Sequence, residues 1–364
     1  MQRSIEMKGP LSTILALIFI LFAGLIEAQV DSTDHSYLRI KSENDFFSLG
    51  NWTDRYFTNG TRIEYQTPQR WSWLNGLRHL YPVLPGKSSD KIKLNAIFQM
   101  SMFTPADLHS NGIIQGDRPY AGLAYLAMTG ISNDFAKGSR ITTEYGLGMI
   151  GPITLQDRLQ TAYHTYLVNR GARTAVIPQG WHNQLANSLA INIRTEYEHT
   201  MFSPVENIET IGGFEANFGS VTNYIALNAN LRIGKFNDYF YNSSGLKMRN
   251  KHITSDKYPT LRPFYPNNIN RKWQYYFYAK PSFRFALNNS LLEGSWLRFN
   301  KNPYVLNGDQ INHFYVNVEF GYGIVFNRMG VMYLQQYRSP EFKTAKPTTW
   351  GALYLLIGMG GNKN

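Results

Sequence analysis

One of the eight histidines in this sequence belongs to a regular run of polar side chains. Gln156, Gln160 and His164 recur at intervals of four, and residues 154–167 are predicted to form a helix with Thr154 as its N-cap. This spacing places all three side chains on one helix face, where an imidazole has an amide one turn away and could take a proton from water near neutral pH. A solvated polar stripe explains the same pattern, and from the residues alone it is the favoured interpretation.

A second group of polar side chains lies where the first predicted strand ends. The strand closes on Asn44 and Asp45, whose oxygen atoms are hard ligands of the type that calcium prefers. Thr58 starts the returning strand, and antiparallel pairing would bring it near Asn44. Asn and Asp also initiate turns and Thr favours strands, so ordinary turn chemistry is the alternative interpretation.

A third cluster, GDRPY at 116–120, precedes another predicted strand. Arg118 could bind a lipid phosphate in a bidentate manner, which makes it a candidate substrate-binding residue. Asp117 and Arg118 could instead fix the loop through contacts with the backbone or with each other, and we favour this structural role.

Strands must position these residues, because hydrophobicity alternates with a period of two along most of the chain. In 140–150, for example, Tyr145 and Leu147 alternate with Glu144 and two glycines. Other alternating segments are 37–44, 57–66, 93–103, 120–133, 189–201, 223–233, 274–286, 289–298, 314–326, 330–339 and 348–359. Strands of about ten residues exceed those of soluble sandwiches and match the length that crosses a bilayer at a tilt. The predicted fold is an all-β, transmembrane antiparallel barrel of about 12 strands, with a short helix in an extracellular loop.

Long connections between the strands are expected to lie outside the cell and to carry function. They are 46–56, 104–119, 151–188 and 236–272. Aromatic residues near strand ends are typical of the girdles at the membrane surfaces. They include Tyr120, Trp181, Trp273 and Trp350.

The N-terminal residues predict export from the cytoplasm. Basic residues precede an apolar run at 11–25, and Ala28 offers a cleavage site, so 1–28 is interpreted as a signal peptide and 29–364 as one outer-membrane barrel domain. An uncleaved anchor is the alternative. The sequence contains no cysteine, which excludes disulfides, thiol nucleophiles and cysteine-bound metals. The formal net charge of +11 would attract anionic lipid head groups, although it equally suits solvated loops.

Taken together and in order, several motifs resemble the outer-membrane lipid A 3'-O-deacylase family. They are NDFF at 44–47, YFTNG at 56–60, GDRPY at 116–120, GP at 151–152, the pair Gln160 and His164, and GWHNQ at 180–184. The likeness is clear over 37–234, and the C-terminal third matches only as barrel strands. It implies a twelve-stranded barrel with an active site between its outer wall and a helix from an extracellular loop.

The resemblance also implies calcium-dependent ester hydrolysis. By that analogy His164 is the base that deprotonates water, and Gln160 helps to place it. Asp45 and Asn44 hold Ca²⁺ and the reacting ester, and Thr58 supports the site. The chemistry is consistent, since a cation stabilises the oxyanion that an attacked ester forms.

Two departures from the family pattern keep other functions open. Family members carry basic residues in the loop after the third strand and an acidic residue six positions after the histidine. Here 104–116 contains no Lys or Arg, and the sixth position is Arg170. One alternative is therefore a non-catalytic barrel, either porin-like or surface-binding. The other is a phospholipase A, because the same groups could cleave a glycerophospholipid ester. The expected partners are lipid A of lipopolysaccharide and outer membrane lipids, with no nucleic acid, for a protein acting as a monomer.

Overall fold

A closed β-barrel forms the body of the protein. The computed structural model describes residues 36–49, 55–69, 71–172, 175–240 and 271–359. Within them, twelve antiparallel strands each pair with their neighbours in sequence, and β1 pairs with β12. The strands are β1 (Ser36–Asn44), β2 (Tyr56–Gln66), β3 (Lys93–Thr104), β4 (Ala121–Asp134), β5 (Ser139–Ile150), β6 (Ser188–Val205), β7 (Ile208–Gly219), β8 (Thr222–Lys235), β9 (Trp273–Asn289), β10 (Phe314–Phe326), β11 (Met329–Arg338) and β12 (Thr348–Met359). Closure leaves no unpaired strand edge, as a bilayer-spanning sheet requires. The predicted fold is confirmed, and the predicted signal peptide at 1–28 lies outside the described residues.

Helices are few and short. They are α1 (Asn75–Arg78), α2 (Gln156–Asn169) and α3 (Ser290–Glu293) among the residues that the structure describes. In that part of the chain, none is long and apolar enough to span a membrane.

The alternating pattern separates an apolar outer wall from a charged lumen. On β5, Leu147 faces outward and is 59% exposed, while Glu144 points inward, where Arg62 and Arg194 lie 2.5 and 3.5 Å from its carboxylate. A period of two produces this division because successive strand side chains point to opposite faces. The inward groups line a cavity of about 550 Å³, and many of its charged side chains are paired with each other.

Side chains narrow the lumen at both of its ends. At one end, Phe57, Leu291 and Trp350 belong to a buried apolar cluster. At the other, Phe236 and Phe240 are at most 1% exposed and follow directly from β8. Trp350 therefore lies inside the barrel, and its predicted place in an aromatic girdle is wrong.

The two ends of the barrel differ in their connections. We call the end with loops 45–55, 105–120 and 151–187 the site end, and the other the opposite end. Three connections at the opposite end, 135–138, 206–207 and 327–328, have only two to four residues, as is typical of periplasmic turns. The connection between β8 and β9 also starts and returns at this end, so the prediction that all four long connections lie on one side of the barrel is wrong; residues 241–270 of it lie outside the described residues.

Two strand predictions fail for identifiable reasons. The alternating pattern does not predict strand β7, because glycines at 212 and 213 interrupt the alternation of apolar side chains. Residues 289–298 were predicted as a strand, but Asn289 accepts a hydrogen bond from the amide of Leu291 at 3.1 Å and caps helix α3 instead. A local side-chain cap competes with strand pairing at such positions.

Candidate active site

Strand register places one row of residues across the outer wall at the site end. Asn44 on β1 pairs with Asn59 on β2, Asn59 with Met102 on β3, and Met102 with Gly122 on β4. Paired residues in antiparallel strands share a face. That face is the outer one, because Leu126, four residues beyond Gly122 on β4, is 60% exposed on it. This outer row is the floor of the candidate site.

Asn44 and Asp45 lie where β1 ends in a single 3-10 turn, Asp45–Phe47. The side-chain oxygen of Asn44 accepts the amide of Phe46 at 2.8 Å and caps this turn, while Asp45 is only 5% exposed. Gly351 on β12 holds the turn against the barrel, because a Cβ there would lie 2.3 Å from the carbonyl oxygen of Phe47. The predicted turn chemistry is therefore found here, beside a buried carboxylate, and calcium binding by these residues stays a prediction.

Thr58 lies at an irregularity in the pairing of β2 with β3. The register shifts between Phe57 and Asn59, and a bulge of this kind redirects a side chain at a strand end. The hydroxyl of Thr58 lies 2.9 Å from that of Thr104, and both residues are buried. Thr58 is thus beside Asn59, the partner of Asn44, as predicted from the hairpin.

Helix α2 packs directly on the outer row at Gly122. A Cβ at this position would lie 2.2 Å from the hydroxyl oxygen of Thr154 and 2.7 Å from Cγ of Gln156, so only glycine permits the contact. The helix begins later than predicted: Leu155, with φ of 58°, is the N-cap, and the Thr154 hydroxyl donates to the carbonyl of Gly151 at 2.7 Å instead.

Three polar side chains of α2 turn toward the protein. Gln156, Gln160 and His164 are 2, 3 and 5% exposed, and they are the buried residues of this helix. The predicted stacking on one face is confirmed, whereas a solvated polar stripe is wrong.

Trp181 fixes the orientation of the Gln160 amide. Its indole nitrogen donates to the side-chain oxygen of Gln160 at 2.7 Å. The side-chain nitrogen of Gln160 therefore points away from the indole. Within the described residues, the amide nitrogens of Gln156 and Gln160 have no hydrogen-bond partner. Buried donors without a protein acceptor are uncommon and point to a ligand or water.

Trp181 and Tyr120 are buried in the loop core, with ring centroids 4.8 Å apart. Their predicted position in an aromatic girdle is therefore wrong. Trp273 is 58% exposed, consistent with that prediction.

A backbone carbonyl orients the imidazole of His164. Its Nδ1 lies 2.6 Å from the carbonyl oxygen of Val176, and since a carbonyl can only accept, Nδ1 carries the proton. The neutral ring then has its acceptor at Nε2, the form that a general base requires. Val176 packs with Met102 of the outer row in one apolar cluster.

Arg118 is buried beneath the site loops. Its guanidinium lies 4.5 Å from the ring centre of Phe103 and 3.6 Å from a carboxylate oxygen of Glu341. Burial lowers the pKa of Arg118 to about 10, against the attraction of Glu341. Burial also opposes the charge on Glu341, but Arg338 and Arg118 outweigh it and hold the pKa of this carboxyl below its ordinary value. These contacts are those of a structural ion pair, and phosphate binding by Arg118 remains a prediction.

Several residues that complete the site could not be assigned roles from the sequence. Trp181 and Asn59 occur within the recognised motifs, but only the folded chain reveals that Trp181 donates to Gln160 and that Asn59 pairs with Asn44. Val176 could not be recognised from its side chain, because it contributes only its backbone carbonyl oxygen.

The site offers oxygen donors for a hard cation. Asp45 supplies one buried carboxylate, and Asn44 supplies an amide oxygen. In the described part of the chain, no group of three or more His, Asp or Glu side chains is arranged to bind a metal. A calcium ion, which takes six to eight oxygen ligands, would fit here only with carbonyl, water or substrate oxygens added.

Comparisons with known proteins identify a family and similar solved structures. The model of the family described as "Outer membrane protein LpxR" matches residues 13–359. Among solved structures, LpxR from Salmonella typhimurium has a TM-score of 0.63 at 14% identity, over 88% of this chain and 99% of that one. The β domain of the Bordetella autotransporter BrkA has a TM-score of 0.39 at 10% identity, over 90% of this chain and 100% of that one. No curated protein matches the sequence.

The family match extends over nearly the whole chain, including every motif and strand discussed above. The chain therefore belongs to the LpxR family of outer membrane proteins, the lipid A 3'-O-deacylase family that its motifs resemble.

Proposed function

We propose that this outer membrane barrel is a calcium-dependent hydrolase that removes 3'-linked acyl chains from lipid A, with His164 as the base. Family membership supports the reaction and the substrate class. The observation that carries the proposal is that α2 packs on the outer wall at Gly122 and that the polar face of the helix is buried. A base and two amide donors consequently lie beside the membrane lipids, where an acyl ester can reach them, and not in the lumen.

The floor and the helix are of matching length, which allows His164 to reach Asn44 and Asp45. Three strand spacings of about 4.8 Å separate Asn44 from Gly122, or roughly 14 Å. From Gln156, which contacts Gly122, to His164 the helix rises about 12 Å at 1.5 Å per residue. A helix that crosses β3 and β2 from Gly122 would thus bring the imidazole to the end of β1.

In this proposal His164 accepts the proton of a water molecule at Nε2, while its Nδ1 keeps its proton and donates it in a hydrogen bond to the carbonyl oxygen of Val176. The water oxygen attacks the ester carbonyl carbon, and the proton then passes to the sugar oxygen as the ester bond breaks. The products are a free fatty acid and a 3'-hydroxyl on the sugar. Water as nucleophile removes the need for a serine or cysteine.

The two glutamine amides are suited to hold the reacting groups. Trp181 directs the Gln160 nitrogen away from the indole, so this donor can bind the attacking water or the ester oxygen. Gln156, two turns from His164, can bind a carbonyl farther along the acylated sugar. Such fixed donors are effective in a site from which water is excluded.

Asp45 and Asn44 are the residues that would hold calcium, and Thr58 would support the site from its place next to Asn59, the strand partner of Asn44. When bound, the ion supplies positive charge that stabilises the ester oxygen as it becomes negative. Because the site has only one carboxylate, it fits a calcium ion that also binds substrate oxygens better than one held by protein ligands alone.

The two alternative functions find different support. Charged side chains fill much of the lumen, and buried aromatic residues such as Trp350 and Phe240 narrow its ends, which speaks against a porin-like channel. A phospholipase A would use the same groups, and nothing in the described residues distinguishes the two esters.

A test on purified protein would decide among these functions. Lipid A and phosphatidylethanolamine are offered in mixed micelles, and the released fatty acids are identified by mass spectrometry. We expect loss of the 3'-linked chains from lipid A, inhibition by EGTA and recovery with Ca²⁺ but not Mg²⁺, whose smaller, octahedral coordination suits the site less well. Cleavage of the phospholipid alone would indicate the phospholipase, and activity unaffected by EGTA would reject the calcium role.

A further inference from the structure

Residues 71–92, which we call the foot segment, pack against the outside of the barrel at the opposite end. Tyr81 lies on the backbone of β4, where a Cβ on Gly130 would be 2.3 Å from its ring, and its hydroxyl donates to the carbonyl of Met128 at 3.0 Å. Gly130 and Met128 share the outer face of β4 with Leu126, which is 60% exposed. The foot segment thus covers a part of the wall that faces lipid elsewhere.

Internal contacts give the foot segment a defined shape. Leu74 and Ile92 are fully buried in a cluster that includes Met128. Arg78 is also buried, and it donates to the backbone carbonyls of Ile92 and Gln69 at 3.2 and 3.1 Å. Its charge is thereby solvated by the backbone, as a buried cation requires.

Three large apolar side chains of the foot segment are exposed, beside polar ones such as His79. Trp73 is 69% exposed, Leu80 is 64% exposed and Val83 is 38% exposed. The ring of Trp73 stacks on that of Trp71 at 5.8 Å, which presents an aromatic platform. Polar residues of the same segment, such as Lys91, are exposed away from the buried cluster.

We propose that the foot segment lies in the lipid leaflet at the opposite end of the barrel, with Trp73 and Leu80 inserted among phospholipid chains near their head groups. These apolar side chains belong to a segment that packs on the outer wall at Gly130, and this wall faces the bilayer in this family of outer membrane proteins. Indole rings prefer this interfacial depth, and short apolar segments with polar flanks bind there in the membrane plane. The proposal is independent of the enzymatic function.

The absence of cysteine makes the proposal directly testable by spin labelling. Single variants Trp73→Cys and Leu80→Cys are labelled with a nitroxide and reconstituted into vesicles of phosphatidylethanolamine and phosphatidylglycerol. Leu126→Cys serves as the lipid-facing control, and Lys91→Cys as the exposed control on the same segment. Electron paramagnetic resonance then compares collisions of each label with oxygen, which concentrates in lipid, and with a water-soluble nickel chelate.

We expect the labels at positions 73 and 80 to give oxygen-to-nickel collision ratios severalfold above that at position 91 and to approach that at position 126. Ratios equal to the position 91 control would place the foot segment in water and overturn the proposal. Dipolar broadening between labels at 73 would instead indicate a second copy on this surface, and would equally overturn it. Retention of folding is checked for every variant by its heat-dependent mobility in gel electrophoresis.

Discussion

Gly122→Ala is expected to reduce activity strongly while leaving the barrel intact. The added Cβ would lie 2.2 Å from the hydroxyl oxygen of Thr154 and 2.7 Å from Cγ of Gln156 on α2, so relief to an ordinary contact of 3.4 Å shifts these atoms by about 1.2 and 0.7 Å. A displacement of this size between catalytic groups lowers rates by about 100-fold, which corresponds to about 2.7 kcal/mol of transition-state stabilisation. The barrel should tolerate the change, because the methyl group projects outside the strand wall.

The assay is the rate of 3'-acyl release from lipid A by purified protein, followed by mass spectrometry. Gly213→Ala is the matched control, because it lies on β7 and its nearest Cβ contact would be an ordinary 3.4 Å. We expect the control to retain wild-type activity and both proteins to show the heat-dependent gel mobility of a folded barrel. Activity of Gly122→Ala within about threefold of wild type would refute the argument that α2 acts from its position on the outer row.

Two further changes test the contacts around the site. Trp181→Phe keeps the ring but removes the N–H that orients Gln160, so kcat should fall about tenfold with little change in KM, as loss of one hydrogen bond implies; an unchanged kcat would contradict this role. Glu341→Gln leaves Arg118 buried without its anionic partner, which should lower the free energy of unfolding by about 3 kcal/mol in denaturant titrations. Because the pKa of Glu341 is lowered in the folded protein, its contribution to stability is present above its ordinary value of 4.5 and is lost as the pH falls through the lowered pKa. Wild type should therefore lose more stability than Glu341→Gln on acidification below that value, and equal losses would contradict the ion pair.

Strand positions were predictable from the sequence because the two faces of the barrel have different environments. Because one face meets lipid and the other meets the charged lumen, hydrophobicity alternates with a period of two, as the outward Leu147 and the inward Glu144 show. The alternating pattern does not identify β7, because its two adjacent glycines have no side chain whose polarity could indicate which face they occupy. It also fails at 289–298, where local apolar residues belong to helix α3 and its loop.

The chemical groups of the site were predictable, but their supports were not. His164 and Gln160 follow from helical spacing, and Asn44 with Asp45 from the end of a strand. The row that joins Asn44 to Gly122 depends on the register of four strands, which is a property of the folded sheet. The contact of His164 with Val176 involves a main-chain oxygen, and every residue type has one, so the sequence does not indicate which residue makes this contact.

The most direct test of the central claim is the lipid A profile of cells expressing His164→Gln, compared by mass spectrometry with wild type. His109→Gln is the matched control, because this histidine lies in a neighbouring site-end loop with its side chain 75% exposed. The account predicts complete retention of the 3'-linked acyl chains in His164→Gln and their removal by wild type and the control. Removal of these chains by a folded His164→Gln protein would contradict it.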